Sequence, residues 1–220
     1  MAGILRAMAR KRSIFLDLDG TLTDPYQGIR RSIEYALESL GERWPADENF
    51  RWCIGPPLKE SFALLVGRER ADDALTHYRQ RFANVGWREN QPYTNIHTVL
   101  DTLKQDGHTL YVATSKPQIY ANRILKHFDL SRFFRAVHGP DLDGHLANKR
   151  DLLAHMLATE KGLVDPVMIG DRRYDMLGAR DNGLSTVGVL YGYGSRGELE
   201  SAGAERLVES PDEIPGALTE

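Results

Sequence analysis

The stretch SIFLDLDGT at residues 13–21 joins a short apolar run to two carboxylates and a glycine. An apolar run of this kind that ends in polar residues is typical of a buried strand leading into a turn. Asp17 and Asp19 come at that transition, and Gly20 allows the chain to turn sharply. We therefore expect both carboxylates at the end of the first strand.

Three later runs, at residues 109–114, 166–171 and 185–190, repeat this pattern of a buried strand. Helical patterns alternate with them. In residues 94–106 and 149–160, apolar side chains recur at a spacing that places them on one helix face. Strands alternating with helices in this way indicate parallel strands joined by right-handed crossovers. The predicted fold class is α/β, with a doubly wound parallel sheet.

The pattern changes between residues 24 and 90, where no run of β-branched residues appears. Three helical patterns follow one another there, the last two over residues 58–66 and 71–85. The simplest interpretation is a small α-helical domain inserted after the first strand of the sheet. The predicted domains are a core formed by residues 1–23 and 91–220 and a cap formed by residues 24–90.

Composition excludes several classes of protein. The 220 residues carry 28 Lys and Arg against 31 Asp and Glu, a formal net charge of -3, so no basic face for nucleic acid is expected. No apolar run approaches the roughly 20 residues that span a bilayer, and no secretory signal is recognised. The single cysteine, Cys53, indicates a reducing compartment such as the cytoplasm. We expect a monomer or homodimer that binds a small molecule.

Polar side chains follow three of the four predicted core strands. In an open parallel sheet, the carboxyl ends of the strands form the ligand-binding edge. Several carboxylates gathered in one crevice repel one another unless a cation lies among them, and hard oxygen ligands favour Mg²⁺. The residues expected at this edge are Asp17, Asp19, Thr114, Ser115, Asp171 and Asp175.

Four segments resemble the motifs of the haloacid dehalogenase superfamily, in family order. Residues 17–23, DLDGTLT, resemble the first motif, and residues 113–115, ATS, resemble the second. Lys149 at a helix start resembles the third, and residues 170–175, GDRRYD, resemble the fourth. The helical insertion, with IGPPL at residues 54–58, is similar to the cap of the phosphoglycolate phosphatase-like branch, which includes 5'-nucleotidases.

The resemblance implies a phosphatase reaction through a covalent intermediate. Asp17 would attack phosphorus to form an aspartyl phosphate. Asp19 would protonate the leaving alcohol and then deprotonate the attacking water. Lys149 would offset the negative charge of Asp17 and bind phosphate.

The resemblance also implies the ligands of the metal and of the phosphate group. The side chains of Asp17 and Asp171 and the backbone carbonyl of Asp19 would hold Mg²⁺, with Asp175 nearby. The Thr114 hydroxyl, the Ser115 amide and Lys149 would bind phosphate oxygens.

The substrate is expected to be a small phosphate monoester of the phosphoglycolate type. Nucleoside monophosphates are the main alternative, and a sugar phosphomutase or a catalytically silent binding module would carry a similar sequence. Gly55 and Lys59 are the cap residues expected to approach the substrate, and a phosphonate hydrolase would need Lys59 as a reactive amine. The G-x-G-x-x-G pattern at residues 192–197 comes too late for a dinucleotide-binding unit, so a glycine-rich turn is predicted there.

Overall fold

The computed structural model describes residues 10–45 and 48–219. Residues 1–9 of the predicted core domain lie outside this part of the chain. The strands are β1 (Ser13–Leu16), β2 (Thr23–Asp24), β3 (Gln91–Pro92), β4 (Thr109–Ala113), β5 (Phe134–His138), β6 (Val167–Gly170), β7 (Ser185–Val189) and β8 (Arg206–Val208). The helices are α1 (Tyr26–Ser39), α2 (Leu58–Val66), α3 (Ala71–Asn84), α4 (Ile96–Gln105), α5 (Gln118–His127), α6 (Lys149–Thr159), α7 (Arg173–Asp181), α8 (Arg196–Ser201) and α9 (Ile214–Ala217). Short 3-10 turns cover Phe50–Cys53, Gly86–Glu89, Ser131–Phe133 and Pro211–Glu213.

Six strands form one parallel sheet in the order β5-β4-β1-β6-β7-β8. β1 pairs with β4 on one side, with Ile14 opposite Leu110, and with β6 on the other, with Ile14 opposite Val167. The chain winds outward from β1 in both directions, so the strand order reverses there and leaves a crevice at its carboxyl end. This topology confirms the predicted α/β fold class.

Helices cover both faces of the sheet because the side chains of β1 alternate between them. Phe15 packs on one face with Tyr111, their rings meeting edge to face at 5.4 Å, and with Leu153 of α6. Ile14 and Leu16 point to the other face, where a larger apolar cluster forms. Both layers keep β1 buried, which fixes the position of the residues that follow it.

The helices α1, α2 and α3 lie between β2 and β3, which form a two-stranded antiparallel ribbon. In that ribbon Thr23 pairs with Pro92 and Asp24 with Gln91, close to the predicted boundaries. The three helices bury apolar residues in the same cluster as one face of the sheet. The division into two domains stays a prediction, and below we call residues 24–90 the cap.

Strand β5 was not predicted from the sequence. Its residues are half-buried or exposed, and Arg135 and His138 interrupt any apolar run. The strand lies at the edge of the sheet, where the Nε2 atom of His138 contacts the Oε1 atom of Glu160 at 2.8 Å. An edge strand needs less apolar surface than a central one, so its sequence pattern is weak. Within the described ranges, no helix is long and apolar enough to cross a membrane.

Candidate active site

Three carboxylates meet at the carboxyl end of the central strands. Asp17 follows β1, Asp171 follows β6, and Asp175 lies in the first turn of α7. One oxygen from each lies within 4.8 Å of the others, and all three residues are buried. We call these three residues the acid cluster. The structure therefore brings together the three side chains that the sequence assigned to a metal.

The turn after β1 places Asp17 and Asp171 side by side. The Asp17 amide donates to the carbonyl of Ile169 at 3.0 Å, which continues the pairing of β1 with β6. Gly20 then has a φ of 84°, and a Cβ added there would lie 2.1 Å from the Oδ2 atom of Asp171. Both the left-handed backbone and the close approach require glycine at this position.

Backbone amides hold two of the carboxylates in place. The Arg172 amide donates to the Oδ2 atom of Asp175 at 3.1 Å, and the Tyr193 amide donates to the Oδ2 atom of Asp171 at 2.8 Å. The Oδ1 atom of Asp171 is buried and accepts no hydrogen bond from the described part of the chain. A buried oxygen of this kind is costly unless a cation or a donor binds it.

The electrostatics of the acid cluster also fit a cation. Burial, followed by repulsion from Asp175 and Asp17, raises the pKa of Asp171 well above its usual range. Burial likewise raises the pKa of Asp175 to about 6, although Lys149 opposes that shift. A hard divalent cation with oxygen ligands would relieve both the repulsion and the unsatisfied oxygen. The residues present therefore fit Mg²⁺.

We expect Mg²⁺ near pH 7.5, at about 100 times its dissociation constant, to raise the unfolding temperature by roughly 5–10 °C. The increase should shrink as the pH falls through about 6, because a proton on Asp175 then competes with the cation. The sign follows from the raised pKa. Protonation of this carboxyl stabilises the folded state below its unfolded pKa, and that stabilisation is lost as the pH rises through about 6.

Thermal melts at several pH values, with Mg²⁺ or with a chelator, measure this increase. An increase of equal size at pH 5 and pH 7.5, or no increase at either, would argue against a cation bound by the acid cluster.

Lys149 is a buried cation beside the acid cluster. It is the first residue of α6, and its ammonium lies 3.2 Å from the Oδ1 atom of Asp17 and 2.7 Å from the Oδ1 atom of Asp175. It also donates to the carbonyl of Ala113 at 2.7 Å, at the end of β4. Burial alone would lower the pKa of Lys149, but the two carboxylates outweigh burial and raise it. The lysine therefore stays charged beside Asp17.

Thr114 and Ser115 follow β4, next to β1 in the sheet. The Thr114 side chain is buried, and its hydroxyl oxygen accepts from the Lys116 amide at 3.2 Å. This bond uses the oxygen as an acceptor and leaves the hydroxyl proton to donate. Ser115 is half-buried in the same turn. Both residues thus lie at the carboxyl ends of the strands, beside Asp17, where the sequence placed them. Their binding of phosphate stays a prediction.

Lys116 is a site residue that the sequence analysis missed. Its ammonium lies 2.7 Å from the Oδ2 atom of Asp19, and it sits over the ring of Phe82 from the cap at 4.6 Å. Burial raises the pKa of Asp19, and Lys116 opposes that rise as the main source of stabilisation for the carboxylate. Lys116 therefore links the proposed acid to the cap.

A Lys116→Met variant should turn over more slowly and accumulate phosphoenzyme. Without the ammonium, the pKa of Asp19 rises further, and each unit above the assay pH reduces its ionised fraction by about tenfold. In the mechanism that the resemblance implies, the ionised form of Asp19 accepts a proton from water. Steady-state rates and the acid-stable phosphoenzyme fraction measure the effect, and Lys126→Met, an exposed lysine of α5, is the control. A normal rate without phosphoenzyme would refute this role.

The two cap residues singled out from the sequence lie in different surroundings. Gly55 lies against Arg172, where an added Cβ would be 2.7 Å from the Nη1 atom. Lys59 is 60% exposed, and its ammonium lies 2.7 Å from the Oδ1 atom of Asp72 on the cap. The structure brings Gly55 to the rim of the site and pairs Lys59 within the cap, and a substrate-binding role for either stays a prediction.

Comparison with known proteins agrees with this arrangement. Residues 14–189 match the family described as haloacid dehalogenase-like hydrolase, and the chain belongs to that family. A 5'-nucleotidase of Pseudomonas aeruginosa is 45% identical over 199 residues, which cover 89% of this chain and 90% of that protein. A phosphoglycolate phosphatase of Agrobacterium fabrum is 31% identical and covers 80% of this chain and 79% of its own.

Two further comparisons extend the picture. The tyrosine-protein kinase PtkA of Mycobacterium tuberculosis is 38% identical over 82% of this chain and 62% of its own length. The crystal structure of a predicted phosphatase from Clostridium acetobutylicum superposes with a TM-score of 0.87 at 39% identity, covering 94% of this chain and 98% of that one. The chain is thus a haloacid dehalogenase-like hydrolase with phosphatase relatives, which confirms the resemblance inferred from its motifs.

Proposed function

We propose that this protein is a Mg²⁺-dependent phosphoric monoester hydrolase that forms a phosphate ester on Asp17. The observation that supports this most strongly is the buried contact of Lys149 with both Asp17 and Asp175, beside Asp171. A carboxylate next to a fixed ammonium and a candidate cation site would be poised to attack an anionic phosphate group. Asp17, Asp171, Asp175 and the Asp19 carbonyl would hold Mg²⁺, which neutralises phosphate charge when bound.

In the first step, an oxygen of Asp17 forms a bond to phosphorus while the bond from phosphorus to the ester oxygen breaks. Asp19 gives its proton to that leaving oxygen, so an alcohol departs. The raised pKa of Asp19 favours the protonated form that this step requires. Lys149 and the Thr114 hydroxyl bind the transferring phosphate oxygens.

In the second step, a water oxygen attacks phosphorus and Asp19 accepts the proton of that water. The bond from phosphorus to the Asp17 oxygen breaks, which releases inorganic phosphate and restores the carboxylate. Lys116, 2.7 Å from Asp19, stabilises the anion that accepts the proton. The same pair of residues therefore supports both steps.

The preferred substrate is proposed to be a small phosphate monoester of the phosphoglycolate type. The cap contacts residues beside the acid cluster, with Phe82 against Lys116 and Gly55 against Arg172, so a bulky leaving group would compete with these contacts. The second candidate is a nucleoside 5'-monophosphate. It is favoured by the 45% identity to the Pseudomonas aeruginosa 5'-nucleotidase.

A substrate panel separates these candidates. Purified protein with Mg²⁺ is given p-nitrophenyl phosphate, phosphoglycolate, sugar phosphates, nucleoside 5'-monophosphates and ATP, and released phosphate is measured. Small esters should exceed nucleotides in kcat/KM, and the reverse order would identify a nucleotidase. Phosphate moved between positions of one sugar without release would indicate a mutase. No release from any ester would indicate a silent binding module.

A further inference from the structure

A short segment of the cap, residues 50–55, contacts the core beside the acid cluster. It consists of the 3-10 turn Phe50–Cys53, capped by the side chain of Asn49, and of Ile54 and Gly55. We call residues 50–55 the docking segment. It makes polar contacts with two loops of the core, and each of these loops also binds a carboxylate of the acid cluster.

The first contact is made by Arg172. Its Nη1 atom donates to the carbonyl of Ile54, and its Nε atom donates to the Oε1 atom of Glu198 at 2.9 Å. The Arg172 side chain is 15% exposed, and its guanidinium lies between the cap and α8. Gly55 has a φ of 106°, and a Cβ there would approach the Cγ atom of Arg172 to 3.0 Å. A side chain at position 55 would therefore push the docking segment away from Arg172.

The second contact is made by Arg51 of the docking segment itself. Its guanidinium lies 4.5 Å from the ring centre of Tyr193 and 5.8 Å from that of Tyr26. Its Nη2 atom also donates to the carbonyl of Gly192 at 3.4 Å. Stacking of a guanidinium on an aromatic face is favourable even at exposed sites. Through Arg51, the docking segment thus contacts the glycine-rich turn that follows β7.

The same two core residues hold the acid cluster through their backbones. The Arg172 amide binds Asp175 at 3.1 Å, and the Tyr193 amide binds Asp171 at 2.8 Å. Each core residue that contacts the docking segment therefore also donates its backbone amide to a carboxylate of the acid cluster. Movement of the docking segment and movement of these carboxylates are mechanically connected through Arg172 and Tyr193.

We infer that Arg172 is a positioning residue that couples docking of the cap to cation binding at the acid cluster. Its side chain contacts Glu198 and the Ile54 carbonyl, which is why we assign it a positioning role and not a catalytic one. It holds the Ile54 carbonyl with its side chain and Asp175 with its amide, so the docked segment stabilises the arrangement that receives the cation. Such coupling is reciprocal: if docking tightens cation binding, the cation must favour docking by the same factor. The inference rests on the proposed metal dependence.

The test compares Arg172→Gln with the matched control Arg173→Gln. Both variants remove one positive charge from adjacent positions, and both keep the backbone amide. Arg173 is exposed, with its guanidinium over the ring of Tyr174 at 5.4 Å. Removal of a positive charge beside an anionic site should by itself tighten Mg²⁺ binding. Coupling through Arg172 predicts the opposite sign.

Two measurements that do not depend on turnover are used, on the full chain. Titration calorimetry gives the Mg²⁺ dissociation constant, and amide hydrogen exchange of residues 50–55 is followed with and without Mg²⁺. We expect Arg172→Gln to weaken Mg²⁺ binding by about fivefold or more and to abolish Mg²⁺-dependent protection of the docking segment. Arg173→Gln should leave protection of the docking segment close to wild type and should keep Mg²⁺ binding as tight as in the wild type or slightly tighter. Arg51→Gln, at the second contact, should act in the same direction as Arg172→Gln.

Unchanged or tighter Mg²⁺ binding in Arg172→Gln, with protection of residues 50–55 retained, would overturn the inference while leaving the proposed function standing. If the wild type shows no Mg²⁺ binding by calorimetry, the proposed metal dependence fails and the coupling fails with it. Circular dichroism melts of each variant exclude global unfolding as the cause, and Arg51→Gln supplies the decision if Arg172→Gln does not fold.

Discussion

An Asp17→Asn variant is expected to lose turnover by roughly 10⁴-fold or more on every phosphate ester, because an amide cannot attack phosphorus. Asparagine fills the same space, so the fold should survive. Asp17 is buried beside Lys149, and the Ala113 carbonyl and Asp175 still bind that ammonium in the variant. Steady-state phosphate release measures the loss, and circular dichroism verifies the fold.

Asp101→Asn, an exposed carboxylate of α4, is the control for the loss of one negative charge. Its rate should equal that of the wild type. Residual activity of Asp17→Asn within tenfold of wild type, after removal of contaminating phosphatases, would contradict the assignment of Asp17 as the nucleophile.

An Asp19→Ala variant should lose on the order of 10²- to 10⁴-fold, the usual contribution of a positioned acid and base. The loss in the first step should be smaller for p-nitrophenyl phosphate than for an alkyl phosphate, because p-nitrophenolate leaves without needing a proton. The ion pair of Asp19 is with Lys116, whereas Lys149 pairs with Asp17 and Asp175. Removal of the Asp19 carboxylate should therefore leave the contacts of Lys149 in place. The comparison of kcat/KM for the two esters measures the effect.

Lys116→Met provides the comparison for Asp19→Ala, since it removes the partner of the carboxylate and keeps the acid. Equal losses on aryl and alkyl esters in Asp19→Ala would show that Asp19 acts in some way other than by proton transfer to the leaving group.

The central strands could be predicted because their burial on both faces leaves a strong apolar signal. Residues 109–114 and 185–190 were predicted as strands, and β4 and β7 occupy nearly those ranges. Strand β5, at the edge, has Arg135 and His138 within it and gives no such signal. Apolar patterning therefore predicts the central strands of this sheet but not the edge strand β5.

The acid cluster could be predicted because its residues follow strands in short, recognisable motifs. Lys116 follows the second motif and Arg172 lies within the fourth, yet their partners are Asp19 and the carbonyl of Ile54, both distant in sequence. No local pattern encodes such pairs. The signal available was the position of one cation directly after the second motif and of another within the fourth, at the edge where anionic groups gather.

The glycine-rich turn at residues 192–197 shows a different limit. The sequence predicted a turn there because no complete βαβ unit was expected so late in the chain. Residues 192–195 do turn after β7, but α8 begins at Arg196 and leads to β8, which pairs in parallel with β7, so the stated reason was wrong. The role of Tyr193 in binding Asp171 through its amide was not predicted, because backbone donors leave no trace in residue type. Such contacts emerge only from the three-dimensional arrangement.

Reductive trapping of the covalent intermediate tests the central claim most directly. The protein is mixed with Mg²⁺ and a phosphate ester that it hydrolyses. It is treated with borohydride during turnover, which reduces a phosphorylated aspartate to homoserine. Peptide mass spectrometry reads the position. Homoserine at position 17, present only with substrate and absent from Asp17→Asn, is the result we predict. Homoserine at another carboxylate, or no conversion during active turnover, would contradict catalysis through an aspartyl phosphate on Asp17.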